Sequence, residues 1–540
     1  IPERYTKNYQ VWLENLRDWP ISRQLWWGHR IPVWASAEMP QNVDETKIII
    51  QEHTDDDGNV KYYVCITGDN ENIEQALELQ GFVRDEDVLD TWFSSALWPF
   101  STMGWPDENA TLKKFYPTDV LCTAREIITL WVSRMVMMGQ YCVGDIPFGD
   151  VYIHAMIQDG LGRKMSKSLG NGIDPLVAID SHGADAMRFT LASMTTHTQD
   201  VRMPVAELEL PDGRRVNSSP KFDLGRNFCN KLWNASRFAM LNLEGMDTGA
   251  FDASKLDTTD KWIVSRLMKT IQAATEGLND YKYKEPLDEI YKFFWNDFCD
   301  WYLEWAKPRM QEEGQRPIAQ NVLAFVLDQT LRLLHPFVPF ITEGIFQNLN
   351  SIATRRGLTG IMELTGSESI MIAPWPECVE SCFDDKTERQ VEIVQNVVRS
   401  IREVRSQYNI APSKTIDCSA SASEVMCGLL NTHTVLIQQL AGAGTFAVAT
   451  NMQKPANAAA VVAGEVQVYV HDVIDPEEER RRLEKQKAFV EKGIKPLEAK
   501  LNNQNFTSKA KPEVVEQSRQ KLAELQEQLA AIEKHLKELK

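Results

Sequence analysis

Leu522, Leu525, Leu529, Ile532, Leu536 and Leu539 recur at steps of three and four, a spacing that lines apolar side chains along one seam and obliges a helix to find a partner. Upstream, Leu483, Val490, Ile494, Leu497 and Leu501 make a second seam. Between the two stand Asn502-Asn503-Gln504-Asn505 and Pro512, residues that favour turns over continued helix. Two arms of about 25 residues, each roughly 40 Å long at 1.5 Å per residue, are therefore expected to fold back as an antiparallel coiled coil. Pairing between two chains is the alternative, and the breaker between the seams favours the hairpin.

Ahead of the arms the chain changes character three times. Residues 12–105 are aromatic-rich, with an extended piece at Lys61-Tyr62-Tyr63-Val64-Cys65-Ile66 after an Asp and Gly turn cluster at 55–58. Asp119-Val120-Leu121-Cys122 reads as a short buried strand and Ile127 to Tyr141 as a buried helix; Val151-Tyr152-Ile153-His154 then repeats the strand ahead of a Gly and Lys loop. This alternation predicts an α/β domain with a parallel sheet. From 222 to about 343, apolar residues such as Leu224, Phe228, Leu232 and Ala235 fall at helical spacing, as in a helical bundle, and the prolines Pro336, Pro339, Pro374 and Pro376 close it. A mixed segment follows, with a helix near Val391 to Tyr408 and a last strand at Val466 to His471.

A chain of 540 residues has room for three or four domains, each with its own core. Its nine cysteines include no C-x-x-C pair and no regular framework, which points to reduced thiols and a cytoplasmic setting. No run approaches 18 apolar residues, so no membrane partner is expected. The net charge of −18 argues against coating nucleic acid by bulk attraction, although local basic patches can still hold a polyanion. From 475 to 540 the balance is 15 basic to 13 acidic side chains, so the arms are the least acidic part. A start at Ile1 instead of Met carries the expectation that more chain lies upstream.

Lys164-Met165-Ser166-Lys167-Ser168 is the sharpest local feature, with Gly160 and Gly162 before it and Gly170-Asn171-Gly172-Ile173-Asp174-Pro175 after it. Two ammonium groups three residues apart on a glycine-flanked loop can neutralise a polyphosphate as pyrophosphate departs. A solvated basic loop is the plainer reading, but a given five-residue string arises by chance in a chain of this length only about once in several thousand sequences.

This loop resembles the KMSKS signature of class I aminoacyl-tRNA synthetases. The likeness extends through Asp18-Trp19-Pro20-Ile21-Ser22-Arg23-Gln24-Leu25-Trp26-Trp27-Gly28-His29-Arg30-Ile31-Pro32, the Asp87 to Phe100 segment, Arg226 to Arg237, Phe298-Cys299-Asp300-Trp301-Tyr302-Leu303-Glu304, and Leu334 to Glu343. Within the class, Leu25-Trp26-Trp27-Gly28-His29-Arg30 and the terminal coiled coil resemble the C-terminal portion of the bacterial valine-specific type. The resemblance implies a multidomain chain: an α/β Rossmann-like catalytic portion with the lysine loop (1–215), an α-helical anticodon-binding bundle (216–375), a small mixed connecting domain (376–474) and an antiparallel coiled-coil tRNA-binding arm (475–540). It implies a ligase that uses ATP with Mg2+ to make valyl adenylate and passes valine to tRNA(Val), a reaction that requires no Ser, Cys or His nucleophile, since positioning and charge carry the first step.

By the same resemblance Lys164 and Lys167 are catalytic, Lys164, Met165, Ser166, Lys167, Ser168 and His154 bind ATP, and Trp92, Ile127, Trp131 and Glu126 line the pocket for L-valine. A monomer is expected. Three departures stand out. Thr123-Ala124-Arg125-Glu126 replaces the family's Thr-Gly-x-Asp, lengthening its carboxylate by one methylene. The cysteines of a zinc knuckle are missing between Trp34 and Asp90, where only Cys65 occurs, so no protein-bound zinc is expected. No H-I-G-H string occurs, and the chain is expected to lack that segment and the editing domain and to be inactive alone. The alternatives are a tRNA-binding module without catalysis and a related synthetase for isoleucine or leucine.

Overall fold

The computed structural model describes residues 1–540 except 69, 197–199, 211, 365, 456, 474–475, 503–511 and 539–540. It divides into two compact units, Ile1–Cys229 with Thr275–Leu287, and Asn230–Ala274 with Asp288–Lys540.

The first unit contains β1 (Ser22–Arg23) and then an antiparallel sheet of β2 (Val33–Ser36), β3 (Ile48–Thr54), β4 (Val60–Ile66) and β5 (Val83–Arg84), in the order β3-β4-β2-β5. Alternation builds its core: Trp34, Ile48, Val64 and Ile66 point to one face and meet Ile73 and Leu77 of the helix Glu71–Leu79, while Ile49 is exposed. The Asp55 carboxylate accepts the N–H groups of Asp57 and Asn59, and Gly58 takes a φ of +83° to close the β3–β4 turn. The extended piece expected at 61–66 is thus one strand of a complete antiparallel sheet. β6 (Val88–Leu89) pairs antiparallel with β1. Nearby, Trp26 and Trp27 are 96% and 89% exposed.

β7 (Thr118–Ala124) and β8 (Phe148–His154) are parallel, as the alternation predicted, and the helical crossover between them buries Val132 and Met135 against Leu121 and Phe148. The crossover is not the uniform helix expected from Ile127 to Tyr141. It begins as a 3-10 turn at Arg125–Ile127, widens to a π-helix at Ile128–Val132 and becomes α-helical only at Ser133–Cys142. The Ser133 hydroxyl donates to the Thr129 carbonyl at 2.7 Å and the Arg134 guanidinium to the same carbonyl at 3.2 Å, and side chains that engage helix carbonyls this way disturb the regular ladder. β9 (Ile157–Asp159) and β10 (Val201–Met203) form a second parallel pair; β11 (Ala206–Glu209) and β12 (Arg215–Ser218) form an antiparallel hairpin.

The second unit is mainly helical. Its central helix, Arg316–Leu334, is buried on all sides from Ile318 onward, and polar residues survive there only by pairing. Asp328 accepts from Arg332 Nε at 2.6 Å and from Arg356 Nε at 2.7 Å. The segment Phe293–Tyr302 is π-helical. The mixed segment holds the helix Asp385–Gln407, expected from Val391 to Tyr408, packed on a sheet of β13 (Ile416–Ser421), β14 (Ala443–Ala449), β15 (Ala459–Ala463) and β16 (Val466–Val470), in the order β14-β13-β16-β15. β13 and β14 are parallel; the other pairs are antiparallel.

At the end of the chain the helices Pro476–Asn502 and Pro512–Glu538 lie side by side. Lys487 bonds Glu533 at 2.6 Å and Gln526 bonds Glu498 at 3.3 Å, so one helix runs against the other. Leu483, Val490 and Ile494 of the first seam are buried, and Leu522, Leu525, Leu529, Ile532 and Leu536 are partly covered. Of the expected turn, Asn502 and Pro512 end and begin the two helices, while Asn503-Gln504-Asn505, like Leu539 of the second seam, lies outside the described residues. Among the described residues no helix is long and apolar enough to cross a membrane.

Candidate functional site

The lysine loop leaves the end of β9 and is closed at its base by a clasp of two side chains. Asp159 is 4% exposed and Asn171 7%. The Asn171 amide donates to Asp159 Oδ2 at 2.9 Å, and its oxygen accepts the Ser166 N–H at 2.9 Å. Asp159 also accepts the N–H groups of Leu161 and Arg163 and the Arg163 Nε. The Asn171 hydrogen bond first, and then the Arg163 N–H, hold this carboxyl well below the usual carboxylate range, so it is charged throughout neutral pH. From outside, Asn217 on β12 donates to the carbonyls of Gly170 and Gly172 at 2.8 and 3.0 Å. Gly162 and Gly170 take φ of +79° and +61°, a region that favours glycine.

Within this frame the five loop residues differ. Met165 packs against a core of Ala178, Met203 and Phe222 and anchors the loop. Ser166 and Ser168 share a hydroxyl hydrogen bond of 3.1 Å. Lys164 Nζ lies 2.6 and 3.1 Å from the two Glu126 oxygens, an exposed ion pair. Lys167 is exposed, and its ammonium has no hydrogen-bond or ion-pair partner among the described residues. One cation is therefore tethered and the other open to solvent.

His154 ends β8 with Nδ1 3.1 Å from the Ala155 carbonyl. Glu126 and Ile127 sit on the 3-10 turn after β7. Trp131 lies on the π-helical turn, donates its indole N–H to the Ser95 carbonyl at 2.9 Å and stands 5.7 Å from Trp98. Trp92 occupies the first turn of the helix Thr91–Ser101 and is partly buried. The structure thus joins Glu126 to Lys164, while Trp92 and Trp131 make no ring contact with each other. Sequence reasoning missed Asp159, Asn171 and Asn217. An Asp-Gly pair before the loop and Gly-Asn-Gly after it were turn signals, but nothing local foretold that Asp159 and Asn171 would bond each other. Among the described residues no group of three or more His, Cys, Asp or Glu side chains is placed to hold a metal ion.

Three family models match in order: class I tRNA synthetases for I, L, M and V over residues 1–204, the anticodon-binding domain of tRNA ligases over 260–420, and the valyl-tRNA synthetase tRNA-binding arm over 475–540. The chain is 42% identical to a valine–tRNA ligase of Thermotoga maritima, an alignment that takes in 100% of this chain and 56% of that protein. It is 41% identical to the corresponding ligase of Rhodopirellula baltica, over 98% of this chain and 57% of the relative. The chain belongs to the valine–tRNA ligase family. It corresponds to the C-terminal region of that family and spans just over half the length of these relatives. Among solved structures, a methionyl-tRNA synthetase of Mycobacterium tuberculosis bound by methionyl-adenylate is 15% identical with a TM-score of 0.48, over 71% of this chain and 64% of that one.

Proposed function

We propose that this chain supplies the phosphate-side loop and the tRNA-binding parts of a ligase that activates valine with ATP and transfers it to tRNA(Val). The observation that carries the proposal is the clasped loop, which holds its two lysines on a fixed base and leaves Lys167 unneutralised. In the reaction, the valine carboxylate attacks the α-phosphorus of Mg2+-bound ATP, pyrophosphate leaves with the bonding electron pair, and a terminal ribose hydroxyl of tRNA then displaces AMP. Lys167, and Lys164 once released from Glu126, would neutralise the charge that grows on the departing diphosphate; such preorganised donors act mainly on the transition state. Met165, Ser166 and Ser168 hold the loop in shape, His154 borders the nucleotide, and Trp92, Ile127, Trp131 and Glu126 surround valine.

The proposed division is a catalytic portion over 1–215, a helical anticodon-binding domain over 216–375, a connecting domain over 376–474 and a coiled-coil arm over 475–540, acting as a monomer in the cytoplasm without protein-bound zinc. The H-I-G-H string is absent from these 540 residues, so the chain alone is expected to give no valine-dependent pyrophosphate exchange. In a ligase that joins it to the remaining part of the relatives' length, Lys167→Ala should lower exchange by about 10²- to 10³-fold, the scale for losing one transition-state donor, with little change in valine binding. Undiminished exchange in that variant would overturn the role given to the loop.

A second reading, tRNA binding without catalysis, is favoured by one observation: the matches to anticodon-binding and tRNA-arm models cover parts of the chain that make no contribution to the loop.

A further inference from the structure

Beside the lysine loop, Arg125, Gln158, Met194, Thr196, Asp200, Val201 and Arg202 line a cavity of about 710 Å³. The cations around it are not equivalent. Arg125 lies 2.9 Å from Asp200, Arg163 2.8 Å from Asp159, and Lys164 2.6 Å from Glu126. The Arg202 guanidinium has no hydrogen-bond or ion-pair partner among the described residues. Its place in the fold explains this. On β10, Val201 and Met203 are buried and Arg202 projects to the opposite, exposed face. There it is in register with Gln158 of β9, whose Nε2 donates to Asp200 at 2.7 Å and whose Oε1 stands with the guanidinium around the Cβ position at Gly162. The guanidinium Nε and Nη2 come within 3.5 Å of the Cβ position at Gly162, the residue from which the lysine loop departs.

We propose that Arg202 and this cavity form an oxyanion subsite that takes a phosphate group, extending the charge of the lysine loop along the sheet edge. The inference rests on the nucleotide-handling reading of that loop. A guanidinium fork grips phosphate oxygens through two parallel hydrogen bonds, and of the described lining residues Arg202 is the cation that no described carboxylate pairs. Asp200, the carboxylate of the lining, already accepts from Arg125, Gln158 and the Met156 N–H. The phosphate can come from an ATP polyphosphate or from a tRNA backbone, and the two sources are separable.

The test uses the 540-residue chain with inorganic tripolyphosphate and, separately, a tRNA(Val) transcript, against sodium sulfate at equal ionic strength as control. Arg202→Ala should weaken one probe by about tenfold, the scale for losing a charge-assisted hydrogen-bond pair, with Arg202→Lys intermediate and unchanged thermal melting for both variants. Loss confined to tripolyphosphate assigns the subsite to the nucleotide, and loss confined to tRNA assigns it to the backbone. Lys167→Ala separates the two readings. If it weakens tripolyphosphate while Arg202→Ala weakens neither probe, the lysine loop stands and the subsite falls; the reverse pattern leaves the subsite and removes the loop. Failure of the parent chain to bind either probe above the sulfate control also overturns the proposal.

Discussion

Asp328 shows what a single buried charge does in this fold. It is fully buried, and the two guanidinium groups it joins, Arg332 and Arg356, are 4% and 1% exposed. Dehydrating three charges is unfavourable, and the cluster is tolerable only while each group has a partner. Asp328→Ala would leave two guanidinium groups in the helical core with no carboxylate, so a loss of about 3–5 kcal/mol is expected, read as a fall in the urea midpoint. A loss below about 1 kcal/mol, the worth of an exposed pair, would mean that water reaches the cluster. Asp159 illustrates a different use of a carboxylate. Its partners are loop N–H groups, an amide and the half-exposed Arg163 guanidinium, and they hold the base of the loop that carries the lysines. The two lysines stood out in the sequence because they lie in one short string. The clasp beneath them did not, because it joins residues that only the fold brings together.

At the scale of elements, close approach decides more than propensity. Gly225 lies on the helix Phe222–Asn242, and a Cβ added there would stand 2.1 Å from the carbonyl oxygen of Ala186. That oxygen is backbone of the helix Ala184–Met194 and cannot rotate away. Gly225→Ala is therefore expected to force the helices apart, at the upper end of the 1–3 kcal/mol or so typical of overpacking, although alanine favours helix by about 1 kcal/mol over glycine. Thermal melting checks the sign: a stabilised variant would show that the contact is relieved by a small shift. Periodicity disclosed the seams at 483–501 and 522–536 and the helical body, since both repeat over several turns. It did not disclose the antiparallel sheet of β2 to β5, whose strands are short and joined by uneven connections, nor the π-helical widenings at Ile128–Val132 and Phe293–Tyr302, since a widened turn leaves no mark in the spacing of apolar residues.

For the molecule as a whole, charge is distributed against its own average. The chain carries −18, yet its arm is slightly basic, with Arg480 and Arg481 exposed. If that arm braces tRNA, binding should fall steeply with salt. Replacing Arg480 and Arg481 by alanine should make the log–log slope shallower by about one for each phosphate contact removed. Filter binding over a salt series measures this, and a slope near zero in the parent chain would remove tRNA from the account. The ion pair between Lys164 and Glu126 bears on the same balance. Both partners are substantially exposed, and pairs of that kind hold with only about 0–1 kcal/mol. Exposed side chains so weakly held change rotamer rapidly, so the resting ammonium is parked, not locked. An arriving polyanion need not pry the ammonium loose; it has only to be present when the catch is open.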